Sequence, residues 1–172
     1  GHASPVQALV VAGGSLLSGD RSGTVIMWNL ETGAQTGTIA TGHTGMLMSL
    51  LCEGEYLFTA ALDGHVKVWD GTGGLVYDHT VTDQQNQPSG ITAMLVLSAS
   101  SHGAEEGDSI LVTACDDRAL KMWKLPSFDR RGIIASKAKG HNDVARCLCT
   151  GPGDSFLSGA MDRSLRVREI TP

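Results

Sequence analysis

TAALDGHVKVW, residues 59–69, decides how this chain folds, because the same template returns without a gap as SGDRSGTVIMW (18–28), TACDDRALKMW (113–123) and SGAMDRSLRVR (158–168). Counting back from the last slot, the tenth position holds Ser18, Thr59, Thr113 or Ser158, and the sixth holds Ser22, Asp63, Asp117 or Asp162. Upstream, Gly1-His2 recurs as Gly42-His43 and Gly140-His141. The spans from His2 to Trp28 and from His43 to Trp69 are both 26 residues, and the first two units repeat at a period of 41. Self-similarity at such a period marks an architecture in which each repeat is one supersecondary unit stacked on its neighbours.

The local pattern is β throughout. Val6 to Val11, Thr24 to Trp28, Val66 to Trp69 and Ile110 to Thr113 are short, rich in β-branched residues and bounded by Gly or Asp, which is how strands read. Many of these runs are apolar on both faces, as a small sheet packed between two others requires. The expectation is an all-β chain of four stacked sheets, with repeats at 1–41, 42–86, 87–139 and 140–172.

A unit of this length, with Gly-His near its start and Trp28-Asn29 or Trp69-Asp70 at its end, resembles the WD40 repeat, one four-stranded blade of a β-propeller. The resemblance covers the whole chain and implies a WD40 β-propeller fold of four consecutive blades. It further implies a hydrogen-bonded structural tetrad in each blade: the His of Gly-His, the strand Ser or Thr, the turn Asp and the Trp. The residues in those slots are His2, Ser18 and Trp28; His43, Thr59, Asp63 and Trp69; Thr113, Asp117 and Trp123; and His141, Ser158 and Asp162. The residue types suit the task, since a buried imidazole needs a partner on each nitrogen and a buried indole N–H needs an acceptor. Only the second unit holds the full set. Ser22 stands where Asp is expected in the first, Gln87 where His is expected in the third, and Arg168 in the Trp slot of the fourth, so weaker networks are expected in those blades.

WD40 units run in the order d, a, b, c, and here the last unit stops at Ile170-Thr171-Pro172 after a c strand. The reading is a partial ring whose last blade lacks its outer strand, with further blades expected upstream. The chain does not begin with Met, which also reads as a fragment. An open arc of blades exposes two apolar faces and an unpaired edge. Two insertions interrupt the third unit: Ser98 to Ser109 between strands a and b, and Leu125 to Ile134 between strands c and d.

Composition narrows the function. With 172 residues, 41% apolar residues and 22 Gly, the chain is globular and rich in turns. No apolar run approaches the roughly 18 residues of a membrane span, and the N-terminus has no signal-peptide pattern. Cys52, Cys115, Cys147 and Cys149 lie in or beside apolar runs, unlike a disulfide framework, so the expected setting is intracellular, nucleus or cytoplasm. Cys147 and Cys149 are the only close pair and have no His nearby, so no metal ligand set is assigned in this chain. No nucleophile elbow, P-loop or dinucleotide fingerprint occurs, and Asp63 with His43 reads as architecture, so no catalytic residue is assigned. The net charge of −5 divides into −11 over residues 1–117 and +6 from residue 118 onward.

MSLLC (48–52), KLPSFDRRGIIASK (124–137) and the ending from Gly151-Pro152-Gly153 are similar to the C-terminal blades of plant and algal proteins that join CCCH zinc fingers to a WD40 propeller. That resemblance implies an upstream, zinc-bearing finger contacting RNA or DNA, and a propeller that binds protein or peptide ligands. The residues expected to meet such a ligand, on the loops joining strands d to a and b to c, are Arg21, Thr44, Leu62, Asp116, Asn142, Asp143 and Met161. The leading expectation is a non-enzymatic scaffold, with no membrane partner. The alternative is the substrate-receptor propeller of a ubiquitin ligase.

Overall fold

The computed structural model describes residues 1–97, 109–135, 140–152 and 155–169. Every regular element among them is a strand, and the chain divides into two compact units, Gly1–Ile91 and Thr92–Pro172.

The first unit holds two four-stranded antiparallel sheets. One has the order β1 (Val6–Ala12), β2 (Ser15–Asp20), β3 (Thr24–Asn29), β4 (Gln35–Ala40); the other β5 (Leu47–Glu53), β6 (Tyr56–Ala61), β7 (His65–Trp69), β8 (Leu75–Thr80). Each is a meander of neighbouring strands, the form of a propeller blade. The recurring template occupies the second strand, the following turn and the third strand. The residue after the Trp slot closes the next turn: Asp70 accepts the Thr72 and Gly74 N–H groups at 2.8 and 2.9 Å, and Asn29 accepts those of Glu31 and Thr32 at 3.0 and 2.8 Å. These short polar side chains replace backbone acceptors that a tight turn lacks.

The two sheets of this unit stack through alternate residues. Leu17, Val25 and Ile39 of the first meet Leu47, Leu50, Leu57 and Trp69 of the second, with Ala8, Val10, Ala12, Met27 and Cys52 at the margin. The strand register assigns these residues to faces. Ala8, Gly19 and Val25 are cross-strand partners, as are Val10, Leu17 and Met27, while in the second sheet Leu50 pairs with Thr59 and Cys52 with Leu57 and hence Trp69. Gly19 forms the notch of this interface: a Cβ there would run into the Leu47 and Leu50 side chains. Phe58 and Val68, on the opposite face of the second sheet, are also buried, as expected for a sheet apolar on both sides.

The second unit holds a four-stranded sheet, β9 (Ile91–Leu97), β10 (Ile110–Cys115), β11 (Leu120–Lys124), β12 (Asp129–Ile134), and a sheet in which three strands are described, β13 (Ala145–Thr150), β14 (Ser155–Ala160), β15 (Leu165–Glu169). Ala93, Ile110, Val112, Ala114 and Leu120 pack with Ala145 and Phe156. All four sheets are propeller blades, numbered 1 to 4 in chain order, and the last lacks an outer strand among the described residues.

One connection differs from the sequence reading. Leu125 to Ile134 is not a loop throughout: only Leu125–Phe128 joins β11 to β12, and Asp129–Ile134 is the outer strand itself, pairing Trp123 with Arg130 and Lys121 with Ile133. Its exposed first half, Asp129-Arg130-Arg131, reads as a polar loop in sequence because an outermost strand has little to bury. Of the other insertion, Ser98 to Ser109, only Ser109 lies within the described residues, and Ile170 to Pro172 also fall outside them.

Candidate functional site

The site is built from the turn carboxylates outward. In blade 2 the Trp69 indole N–H donates to Thr59 Oγ1 at 3.0 Å, His43 Nε2 lies 2.9 Å from the same oxygen, and His43 Nδ1 is 3.0 Å from Asp63 Oδ2. The carboxylate can only accept, so Nδ1 carries the proton; Nε2 then accepts the Thr59 O–H, whose oxygen accepts the indole proton. One relay satisfies four polar groups around a fully buried hydroxyl. Both ring nitrogens are occupied, which leaves none to exchange a proton with a ligand.

Blade 1 carries an equally complete network, through a residue the template alignment passes over. Trp28 Nε1 donates to Ser18 Oγ at 2.7 Å and His2 Nε2 lies 2.6 Å from it. The carboxylate on His2 Nδ1, at 2.9 Å, is Asp20, two positions before the expected slot. Ser22, which fills that slot, donates both its N–H and its hydroxyl to Asp20. The weaker network expected for this blade is therefore corrected: the side chain reaches the imidazole from the end of β2 instead of from the turn. The one signal for it in sequence is that Asp20 is the only carboxylate between His2 and Trp28.

Blades 3 and 4 depart further. In blade 3 the Trp123 indole donates to Thr113 Oγ1 at 3.1 Å, but Gln87 is exposed and its N–H goes to Asp83. Asp117 instead lies 2.7 Å from Nζ of Lys121, whose side chain is 1% exposed. In blade 4, His141 bridges Ser158 Oγ (2.8 Å) and Asp162 Oδ2 (3.2 Å), with Ser164 Oγ at 3.1 Å. Arg168 in the Trp slot is half-buried, and burial with the nearby Arg166 charge lowers its pKa.

The turn aspartates are held ionised. Burial pushes the Asp63 carboxyl up, but hydrogen bonds from the His43 ring and from the His65 and Thr44 N–H groups together hold it well below the usual carboxylate range. Asp162 is lowered first by the Ser164 hydroxyl, then by the Asn142 and Ser164 N–H groups and His141, against burial. Asp20 is lowered by Ser22, His2 and Thr24 despite its burial.

The same carboxylates fasten the surface loops. Asp63 Oδ2 accepts the Thr44 N–H at 2.9 Å, and the Leu62 N–H donates to Met46 O at 2.9 Å, which brings Thr44 and Leu62 onto one tied pair of loops. Blade 4 repeats the scheme: Asp162 accepts the Asn142 N–H at 2.8 Å and the Met161 N–H donates to Val144 O at 2.9 Å. Arg118 Nη1 reaches Asn142 O at 3.5 Å. In blade 1 the Arg21 N–H donates to Pro5 O at 2.9 Å. Arg21, Thr44, Leu62, Asp116, Asn142 and Met161 are exposed, whereas Asp143 is half-buried and caps the Val144 N–H at 2.7 Å. The result is outward-facing side chains on loops whose backbones are already fixed, and this is how a surface recognises a partner with little ordering cost. Among the described residues, no three His, Cys, Asp or Glu side chains converge as a metal site, and no helix is long and apolar enough to cross a membrane.

Comparison with known proteins agrees with this construction. The family model described as WD domain, G-beta repeat matches residues 34–70 and 134–168. Zinc finger CCCH domain-containing protein 17 of Oryza sativa subsp. japonica is 29% identical over 99% of this chain and 35% of its own length. Nuclear distribution protein PAC1-2 of Uncinocarpus reesii is 25% identical over 93% of this chain and 36% of its own. The chain thus spans about a third of the length of these relatives. Among solved structures, the computationally designed Ika8 protein superposes with a TM-score of 0.69 at 25% identity, covering 99% of this chain and 47% of that one.

Proposed function

We propose, from the WD40 repeats matched at residues 34–70 and 134–168 and the blade form of all four sheets, that the chain is a non-enzymatic scaffold which binds protein or peptide ligands through the loops joining strands d to a and b to c. The observation that carries the reading is the double use of Asp63 and Asp162. Each satisfies a buried imidazole and also holds the N–H of a loop residue, Thr44 or Asn142, whose side chain faces solvent. The tied loops present Leu62, Met161 and Arg21 to solvent, and Met and Arg are among the residue types enriched at protein interfaces.

The likeness to a rice protein named for a CCCH zinc finger supports the second part of the reading. In the natural protein these repeats follow a zinc-bearing finger that contacts RNA or DNA, and the compartment is the nucleus or cytoplasm.

The test is affinity capture from a plant lysate with the wild-type chain and with Leu62→Asp, Met161→Asp and Arg21→Glu variants. Partners lost with these substitutions, and retained with a substitution on an outer strand such as Tyr77→Asp, support the assignment; an unchanged partner set in all three overturns it. For the nucleic-acid part, fluorescence anisotropy with single-stranded RNA is expected to show salt-dependent binding by the full reading frame and none by this chain. Equal binding by both would move the contact to the basic last third.

A further inference from the structure

The interface between blades 1 and 2 is tight at one end and open at the other. Around Gly19 it is closed, since a Cβ there would run into Leu47 and Leu50. Towards the turns that join β1 to β2, β5 to β6 and β7 to β8, the sheets part around a cavity of about 300 Å³, the size at which ligand sites begin. Leu17, Met27, Ile39 and Leu57 form its walls. Cys52 joins them as a neutral, apolar side chain, its thiol pKa raised by burial. Glycines keep the mouth open: at Gly13, Gly54 and Gly71 a Cβ would meet nothing within 4 Å. Both walls are formed within one compact unit, between consecutive blades.

Charge is distributed unevenly between the two ends of these blades. The only Lys and Arg among residues 1–117 are Arg21 and Lys67. Arg21 lies in the β2–β3 turn, and the Lys67 Nζ donates to the Thr41 and Gly42 oxygens, between β4 and β5, at 2.9 and 3.1 Å. Both cations therefore sit at the end away from the cavity. The cavity end carries Glu31, Glu55 and Asp70 in the β3–β4, β5–β6 and β7–β8 turns. Of these, Glu55 and Asp70 line the cavity beside the exposed Tyr56, and none of its lining residues is Lys, Arg or His. The Thr72 hydroxyl and the Gly74 and Thr72 N–H groups lower the Asp70 pKa and keep it ionised. An apolar cavity with an anionic and aromatic rim matches a ligand that carries a cation next to an apolar group.

We infer that this cavity is a further peptide site, at the opposite end of the strands from the d–a and b–c loops and independent of them. It takes a Leu, Ile, Met or Phe side chain of a partner protein, with a neighbouring Lys or Arg set against Glu55, Asp70 and the Tyr56 ring. The two parts of the site have different tasks. Burial of the apolar side chain supplies affinity, and the carboxylates select a basic neighbour and reject an acidic one. An apolar side chain without the cation fits the cavity but gains nothing at its rim, and a cation alone leaves the walls bare.

The experiment probes the full reading frame with an array of short peptides in which Leu, Phe or Ser stands beside Arg, Gln or Glu at the centre and the flanks are randomised. Leu-Arg and Phe-Arg peptides are expected to be retained, and Ser-Arg and Leu-Glu peptides to be lost. Replacing the Arg by Gln is expected to weaken binding about 1.5- to 5-fold for each carboxylate it met. A retained peptide at about four times its Kd is expected to slow alkylation of Cys52 by iodoacetamide about 5-fold, by mass action, as read by peptide mass spectrometry. Ala12→Leu fills the cavity from a side chain already packed at its margin and is expected to abolish binding, with circular dichroism as the check on folding. Glu55→Gln/Asp70→Asn is expected to keep Leu-Gln binding and lose the preference for Arg; Asn at position 70 retains the turn acceptor, as Asn29 does in blade 1. Leu62→Asp, in the β6–β7 loop at the other end of the blade, is expected to change neither, which separates this site from the one proposed on the loops. An array with no retained peptide, retention without regard to charge, peptide protection of Cys52 that survives Ala12→Leu, or protection by hexylammonium and by no peptide overturns the inference.

Discussion

Replacing Asp20 by Ala tests whether the carboxylate of the first blade is the one the structure assigns. Asp20 is 1% exposed and accepts four hydrogen bonds: from His2 Nδ1 at 2.9 Å, the Ser22 N–H at 2.9 Å, the Ser22 hydroxyl at 2.6 Å and the Thr24 N–H at 3.1 Å. Ser22 is exposed, so its two freed donors turn to water at little cost. The His2 ring edge and the Thr24 N–H are shielded, and stranding donors that had a charged acceptor costs about 1.5–3 kcal/mol each. The sum is about 3–6 kcal/mol, which at roughly 1.36 kcal/mol per tenfold is a rise of about two to four decades in the local opening equilibrium constant. Ser22→Ala removes one exposed hydroxyl and is expected to cost less than about 1 kcal/mol. Native-state hydrogen exchange at the amides of β2 and β3 reads the local effect without requiring the two units to unfold together. Equal loss of protection in Asp20→Ala and Ser22→Ala, or no loss in the former, would refute the reasoning.

Acid should unfasten blade 2: because the native Asp63 pKa is depressed, its stabilisation is complete above the roughly 3.9 of an unfolded Asp and is lost as pH falls towards the native value. Urea midpoints measured between pH 5 and pH 2 are expected to fall more steeply for wild type than for Asp63→Asn. In blade 3 the two halves of the ion pair should behave unequally. Asp117→Ala leaves the buried Lys121 charge uncompensated and is expected to cost about 3–5 kcal/mol, whereas Lys121→Met leaves a carboxylate that is 24% exposed and is expected to cost about 1 kcal/mol or less; thermal melts of the two variants give the comparison. Gly45→Ala would drive a Cβ into the Asp63 and Leu62 backbone, which cannot rotate away, so a loss of about 1–3 kcal/mol and faster Thr44 amide exchange are expected.

Much of this was legible in the sequence, because a repeat states its own rules several times. The Trp slot, the Ser or Thr ten positions before it and the strand boundaries follow from aligning four copies, and each strand's two apolar faces follow from stacking. Asp20 was not legible by that route. Alignment compares positions, whereas the imidazole requires only a carboxylate within reach, and the end of β2 and the turn after it both satisfy that. Lys121 was hidden for a related reason. Its slot holds Ile26, Lys67, Lys121 and Arg166 in the four copies, and composition alone cannot distinguish a Lys whose Nζ finds the backbone oxygens of Thr41 and Gly42, as in Lys67, from one that is buried against a carboxylate.

The outward loops follow from the interior ones by a single constraint. A carboxylate has four acceptor sites and the imidazole uses one, so a turn Asp that is buried beneath two loops must find further donors there, and the nearest are loop N–H groups. In blades 2 and 4 it finds Thr44 and Asn142; in blade 1 it finds Ser22 and Thr24 in its own turn, and the incoming loop is held by Pro5 O and the Arg21 N–H instead. In blades 2 and 4 the turn Asp thus couples the imidazole network to the surface loop, whereas the blade 1 Asp, on the strand, does not, and in blade 3 Asp117 is taken up by Lys121. Substituting the core His should therefore loosen the Thr44 loop in blade 2 and the Asn142 loop in blade 4, but leave the Arg21 turn of blade 1 in place.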